Sequence, residues 1–358
     1  ILVWLCIYYT MPKKKRGDIH NYDERYESQK RLLSGSSTIS KRNIDLILDF
    51  ERACFLVEAT SKPRRIKLMN ALSFFAREYL KKDFDKIDRT ELENAFLLIE
   101  NKEDYSPWTK QSYRAIIKKF YKWLEQGNKY KEIREYPEIV SWINTNIKTK
   151  DKPKVQASDI LTEEEINSFI NAGEHPRDKA FASMIYELGA RIGEIGNLRI
   201  KDVSKDQYSY IIDLNGKTGH RTPRIIISDP HLTNWLNVHP KREDPESPLW
   251  VLVGKRDKVK MMQYQSFRAL VGRLKERAMI KKRIYPHLFR HTRVTHLLMN
   301  GQMNEAQAKV YFGWVPSSKM LAEYSHLISK DVNDTLLKIH GIKKAEDKEE
   351  SKLKPKQC

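Results

Sequence analysis

Residues 189–199 read GARIGEIGNLR, and one kind of structure gives way to another around them. Arg191 and Glu194 stand one helical turn apart, inside a stretch, 178–199, that reads as helices. Directly afterwards the pattern changes. Residues 208–213, YSYIID, are rich in aromatic and β-branched side chains and read as a strand. Asn215-Gly216 accommodates the positive φ angles of a tight hairpin turn, and Arg224 to Ile227 is the expected return strand after a loop containing Pro223. Helices dominate again from about Tyr264. The fold class expected is mainly α with a small β-hairpin or sheet (α+β).

Working back from this stretch, Thr162 opens LTEEE with Glu165 three residues on, the capping-box arrangement that starts a helix. A domain therefore spans 159–342. Before it, residues 148–158, KTKDKPKVQAS, hold four lysines and a proline and almost nothing apolar, the composition of an extended linker. Residues 27–147 read as an all-helical domain. One helix begins near Ser40 or Lys41. A second follows Pro63, with Leu68, Ala71, Leu72, Phe75, Ala76 and Tyr79 recurring at three- and four-residue steps. A third starts at Thr109 as N-cap and places Tyr113, Ile116, Ile117, Phe120, Tyr121 and Leu124 on one side, with Lys118, Lys119 and Lys122 elsewhere; Gly127 and Asn128 stop it. Its spare basic groups are expected to face outward.

The ends of the chain read differently. Residues 1–26 are expected to be a flexible basic segment, with Lys13, Lys14, Lys15 and Arg16 as a solvated run or a phosphate-touching arm. Within it, residues 1–10, ILVWLCIYYT, are apolar but too short to cross a bilayer, lack a basic start and begin with Ile. They are read as upstream sequence, with Met11 the expected natural start. Residues 343–358 form a charged tail expected to fray.

The chain has 358 residues, enough for two ordinary domains, and its 66 Lys and Arg against 47 Asp and Glu give a formal net charge of +19. The excess is spread over both halves, which points to a polyanionic partner. Cys6, Cys54 and Cys358 lie far apart, so a disulfide framework or a cysteine-ligated zinc is not expected. No secretion signal or long apolar run is present, and the expectation is a cytoplasmic, nucleoid-associated protein with no membrane partner.

Singly, an arginine in a helix or a His-x-x-Arg pair says little. The order matters: Arg191 with Glu194, Lys217 after the hairpin turn, His287 and Arg290 in HLFR, Gly313-Trp314, and Tyr324 in EYSHL. In this order the set resembles the tyrosine recombinase (phage integrase) family, whose signature runs Arg, Lys, His-x-x-Arg, His or Trp, Tyr. The segment from Gly313 through Tyr324-Ser325-His326 is most similar to archaeal virus and plasmid integrases, which favour Trp where bacterial relatives carry His. The resemblance implies a helical core-binding domain over 27–147, a catalytic domain over 159–342, and a homo-tetramer assembled on specific double-stranded DNA attachment sites. A site-specific recombinase that integrates or excises a mobile element is the function it implies.

The residue types suit that chemistry on their own terms. Cleaving a phosphodiester without water needs a nucleophile, charge stabilisation and a leaving-group acid. Tyr324 is the candidate nucleophile; a phenol has a pKa of about 10, so attack on phosphorus needs proton removal and a positive site. Tyr311 is the nearest rival. Arg191 and Arg290 suit the non-bridging oxygens, because guanidinium donates paired hydrogen bonds. Lys217 is the candidate general acid for the departing 5′ oxygen, or an ordinary phosphate contact. His287 can move a proton near Tyr324 or bond a phosphate oxygen. Trp314 can donate an indole N–H or pack in the core. Glu194 is expected to orient a cation from behind, while His291 and His296 are read as structural. With no carboxylate cluster of the two-metal kind, no metal and no cofactor are expected. The rivals in function are a Xer-like chromosome dimer resolvase, a type IB topoisomerase with the same nucleophile, and a non-catalytic DNA-binding protein, which the complete set of reactive positions argues against. Major-groove contacts are expected from Lys110 to Lys122 and from the helix around Gln265 to Arg273.

Overall fold

The computed structural model describes residues 17–147, 155–216, 219–253, 259–299, 302–315 and 317–318. Two compact units emerge, one within Asn21–Pro153 and one made from the segment before Asn21 together with the chain from Lys154 onward.

The first unit is helical: α1 (Tyr22–Ser34), α2 (Lys41–Glu58), α3 (Lys62–Glu78), α4 (Arg89–Glu100), α5 (Pro107–Gln126) and the short α6 (Glu138–Ser141). Ser40 caps α2 by accepting the Asn43 N–H at 3.1 Å. On α3 the expected face, Leu68, Ala71, Leu72, Phe75 and Ala76, is buried. Helix α5 starts earlier than Thr109: Ser106 is the cap, accepting the Thr109 N–H at 3.2 Å, and Pro107 takes the first helical position, where its missing N–H costs nothing. Ile116, Ile117, Phe120 and Tyr121 bury its inner face. A buried polar triad ties three helices together: Tyr26 of α1 donates to Glu51 of α2 at 2.9 Å, and Arg65 of α3 bonds both Glu51 and, at 2.6 Å, the Tyr26 hydroxyl.

The second unit holds α7 (Glu163–Asn171), α8 (Pro176–Leu188), α9 (Ile192–Gly196), β1 (Val203–Lys205), β2 (Tyr210–Ile212), β3 (Leu214–Gly216), β4 (Gly219–Arg221), β5 (Arg224–Ile225), α10 (Asp229–Asn237), β6 (Val251–Val253), β7 (Val259–Met261), α11 (Tyr264–Arg277), α12 (Pro286–Met299) and α13 (Glu305–Phe312). Thr162 and Glu165 form the capping box at α7. Strands β1, β2 and β5 make one antiparallel sheet, and β3 with β4 and β6 with β7 make two-stranded ribbons. The fold is thus mainly helical with small antiparallel sheets. The core is built from Phe169, Phe181, Trp235, Trp250, Phe267 and Phe289 among others, each of which contributes about 1.5–3 kcal/mol through burial. Trp250 also donates its indole N–H to the Ile195 carbonyl at 2.8 Å, which pins α9 to the core.

Two further sequence expectations differ from the structure. Asn215 and Gly216 are paired strand residues, opposite His220 and Gly219, so the strand ends bracket positions 217 and 218 instead. The return strand itself is where it was expected, with β5 pairing antiparallel to β2. The Asn-Gly signal is local, whereas the pairing register follows the buried Leu214. The second difference is at residues 17–26, expected to be part of a flexible segment. Ile19 is 1% exposed in the core of the second unit, with its N–H on Asn197 Oδ1 and its carbonyl accepting from Tyr264 N, both at 2.9 Å. Tyr22 already begins α1. Residues 1–16, the linker positions 148–154 and the tail 343–358 lie outside the described residues.

Glu187, near the end of α8, holds several elements at once. Its carboxylate accepts the N–H groups of Ile226, Ile227 and Ser228 at 2.6, 2.9 and 2.7 Å, and its carbonyl accepts from Arg293 of α12 at 3.1 Å and Tyr311 of α13 at 2.7 Å. Glu187→Gln turns one acceptor into a donor facing backbone N–H groups. It is expected to lower unfolding free energy by about 1–3 kcal/mol. Urea denaturation reads this as a lower midpoint with an unchanged slope.

Candidate active site

The second unit draws together residues that the chain keeps far apart. Arg191 lies at the turn between α8 and α9, and Glu194 folds back one turn later, its Oε2 accepting the Arg191 N–H at 3.2 Å and its Oε1 accepting Arg191 Nη1 at 2.9 Å. The Arg191 side chain is 37% exposed and that of Glu194 only 4%. Burial pushes the Glu194 carboxyl up, but its bonds to Arg221 and Arg191 outweigh this and hold it below the ordinary value. Glu194 therefore stays ionised and fixes Arg191 from behind.

His287 and Arg290 share one face of α12. Arg290 is 2% exposed and donates to the Gly189 carbonyl at 3.0 Å and the Phe312 carbonyl at 2.8 Å. Its guanidinium also lies 5.3 Å from the Phe312 ring and 5.2 Å from the Trp314 ring. One side chain thus fastens α12 to the ends of α8 and α13. Trp314 is 7% exposed and packs in a small cluster with Phe312, Val294 and Leu297, so its indole supports Arg290 as a core residue does. The two arginines, read from sequence as an equivalent pair, differ here: Arg191 faces outward and Arg290 is an anchored, buried charge.

Burial, and after it the charges of Arg290 and Arg191, hold the His287 imidazole below its ordinary pKa, so it is neutral near pH 7. His291 lies edge to face on it, with ring centroids 4.7 Å apart. Burial, then His287 and Arg290, push His291 down to about 4. A histidine held below its unfolded value of about 6.5 takes up its proton first in the unfolded chain. Its stability contribution is complete above pH 6.5 and is lost as pH falls toward 4. Urea midpoints are expected to fall across that window, and less steeply for His291→Asn; an equal slope in the variant would contradict the assignment. His296 accepts from or donates to the Tyr186 hydroxyl at 2.9 Å, a structural contact.

Lys217 and Tyr324 lie outside the described residues. Tyr311, the rival nucleophile, is described: its hydroxyl donates to the Glu187 carbonyl, and burial pushes its pKa up to about 12. That is the setting of a structural tyrosine. Sequence reasoning missed Arg221, whose Nη2 lies 2.7 Å from Glu194 Oε2. An arginine in a short strand carries no local mark of facing inward.

The lysines of α5 are also placed differently from expectation. Lys118 and Lys122 donate to the carbonyls of Ile143 and Ile133, both at 2.6 Å, and Lys119 donates to Glu58 at 2.9 Å. They are engaged within the helical unit. A cleft of about 540 Å³ between α3 and α5 instead presents Lys67, Asn70, Arg77, Trp108, Thr109 and Ser112. On α11, Gln265, Arg268 and Arg273 are exposed opposite the buried Phe267, Leu270, Val271 and Leu274. Among the described residues no helix is long and apolar enough to cross a membrane.

Comparison with known proteins agrees with this architecture. The chain is 25% identical to the tyrosine recombinase XerC of Corynebacterium glutamicum over 233 residues, covering 63% of this chain and 70% of that protein. It is 31% identical to XerA of Pyrococcus furiosus over 145 residues, 39% of this chain and about half (48%) of that protein's length. Among solved structures, XerH recombinase bound to a palindromic difH substrate superposes with a TM-score of 0.57 at 17% identity, covering 92% of this chain and 98% of that one. A lambda integrase dimer bound to a COC′ core site gives 0.57 at 13% identity over 78% and 76%. These two likenesses show a shared fold. Residues 159–330 match the phage integrase family, and this segment is a domain of that family of tyrosine recombinases.

Proposed function

We propose that this chain is a site-specific DNA recombinase acting as an integrase, of archaeal virus or plasmid type, and that Tyr324 is its nucleophile. The phenolate oxygen attacks phosphorus, the bond from phosphorus to the 5′ oxygen breaks, and Lys217 protonates the departing oxygen. The 3′-phosphotyrosyl bond conserves the energy of the broken linkage, so a 5′ hydroxyl from another strand can reverse the step. Arg191 donates to the non-bridging oxygens, Arg290 supplies a fixed positive charge beneath them, and neutral His287 donates or accepts a proton close by. Strands are exchanged in pairs within a tetramer on two DNA sites, as the family resemblance implies.

The observation that carries the reading is the convergence of Arg191, Glu194, His287, Arg290 and Gly313-Trp314, from three separate helical elements, in one unit of a basic protein. The α3–α5 cleft and the outer face of α11 are the proposed duplex contacts, and binding there falls steeply with salt. A second reading, a Xer-like resolvase of chromosome dimers, is favoured by the names of the curated relatives. Incubation with a nicked suicide duplex carrying a candidate attachment site tests the chemistry through a covalent adduct on a denaturing gel. Two-site recombination and plasmid relaxation, run in parallel, separate a recombinase from a type IB topoisomerase.

A further inference from the structure

The pairing of Arg191 with Glu194 raises an electrostatic difficulty. A carboxylate bonded to the arginine that meets the phosphate cancels the charge the phosphate is meant to feel. Arg221, the last residue of β4, resolves it. Its Nη2 donates to Glu194 Oε2 at 2.7 Å, whereas the Arg191 guanidinium donates to Oε1, and its side chain is only 8% exposed. Two guanidiniums and one carboxylate leave a net single positive charge, with the exposed member, Arg191, outermost.

The packing around Arg221 is specific. At Gly313, where φ is +62°, a Cβ would sit 2.9 Å from Arg221 Nη1 and 3.2 Å from its Cδ. The glycine of the Gly-Trp pair is thus needed for the close approach of this guanidinium as well as for its left-handed backbone. At Gly216 a Cβ would overlap Glu194 Oε1. Arg221 Nε and Nη1 are buried and find no hydrogen-bond acceptor among the described residues. A buried, incompletely bonded guanidinium is costly for folding. Leucine or methionine would fill the space without that cost.

We propose that Arg221 is a positioning residue of the cleavage site: it holds Glu194 in place behind Arg191 and offsets its charge, so that Arg191 meets the phosphate as a net cation. This rests on the reading of Arg191 as a phosphate-binding group. Arg221→Met is expected to slow adduct formation on the suicide duplex by roughly 10- to 100-fold, the loss typical of a supporting residue, with duplex affinity nearly unchanged. Arg221→Lys recovers most of the rate. In the double variant Arg221→Met with Glu194→Gln, the uncompensated carboxylate is gone, so cleavage is faster than in Arg221→Met alone. Removing two structural bonds instead of one has no such effect. Arg221→Gln, which keeps an N–H toward Glu194 without the charge, serves the same comparison if the Met variant is unfolded by circular dichroism. An unchanged rate in the single charge-removing variant, or a double variant no faster than it, would overturn the proposal. Failure of the unsubstituted chain to form any adduct would overturn the recombinase reading itself, and this inference with it.

Discussion

Tyr324→Phe is expected to abolish the covalent adduct with a nicked suicide duplex, and Tyr311→Phe to leave it. The first change deletes the only oxygen proposed to bond phosphorus, and no neighbouring water-activating group is proposed in its place. The second removes a hydroxyl already engaged with the Glu187 carbonyl and held at a pKa of about 12, too high for a phenolate near neutrality. Its cost is structural, about 0.5–1.5 kcal/mol for one hydrogen bond. A denaturing gel comparing the two variants checks both at once. An adduct lost in Tyr311→Phe and kept in Tyr324→Phe would reverse the assignment of the nucleophile.

The second large effect separates the two arginines. Arg191→Lys keeps the charge but loses the planar fork, and a cleavage loss of about 100- to 1000-fold is expected. Its side chain is partly exposed, so the unfolding midpoint and duplex affinity should hardly move. Arg290→Lys is expected to lose cleavage as strongly and also about 2–4 kcal/mol of stability. A lysine cannot reach the Gly189 and Phe312 carbonyls together, which strands two buried acceptors and an ammonium between the Phe312 and Trp314 rings. Single-turnover adduct rates and urea denaturation on the same preparations decide the point. If Arg290→Lys unfolds at the midpoint of the unsubstituted chain, the buried-anchor role assigned to it is wrong.

The contrast between these arginines marks the limit of what spacing conveys. His287 and Arg290 were legible as one face of a helix, and Arg191 with Glu194 as a turn-apart pair, because those relations are local. That Arg290 would be buried against Gly189, 101 residues away, had no local signal. The lysines of α5 make the same point. Their pattern reads as a solvated face, yet Lys118 and Lys122 reach carbonyls that only the tertiary packing brings near. Asn215-Gly216 misled because a strong turn dipeptide was outweighed by strand register.

By itself the primary chain determined the helical periodicity, the capping of α2 and α7, the excess of positive charge and the ordered set of reactive residue types. These depend on near neighbours or on composition, and survive without knowledge of the fold. Only the tertiary structure decided which partner each side chain has: Arg221 on Glu194 across 27 positions, Tyr311 on the Glu187 carbonyl across 124, and Ile19 in the core of the second unit. The physical reason is that burial and pairing energies depend on what surrounds a side chain in space, and for residues this far apart sequence spacing does not encode that distance.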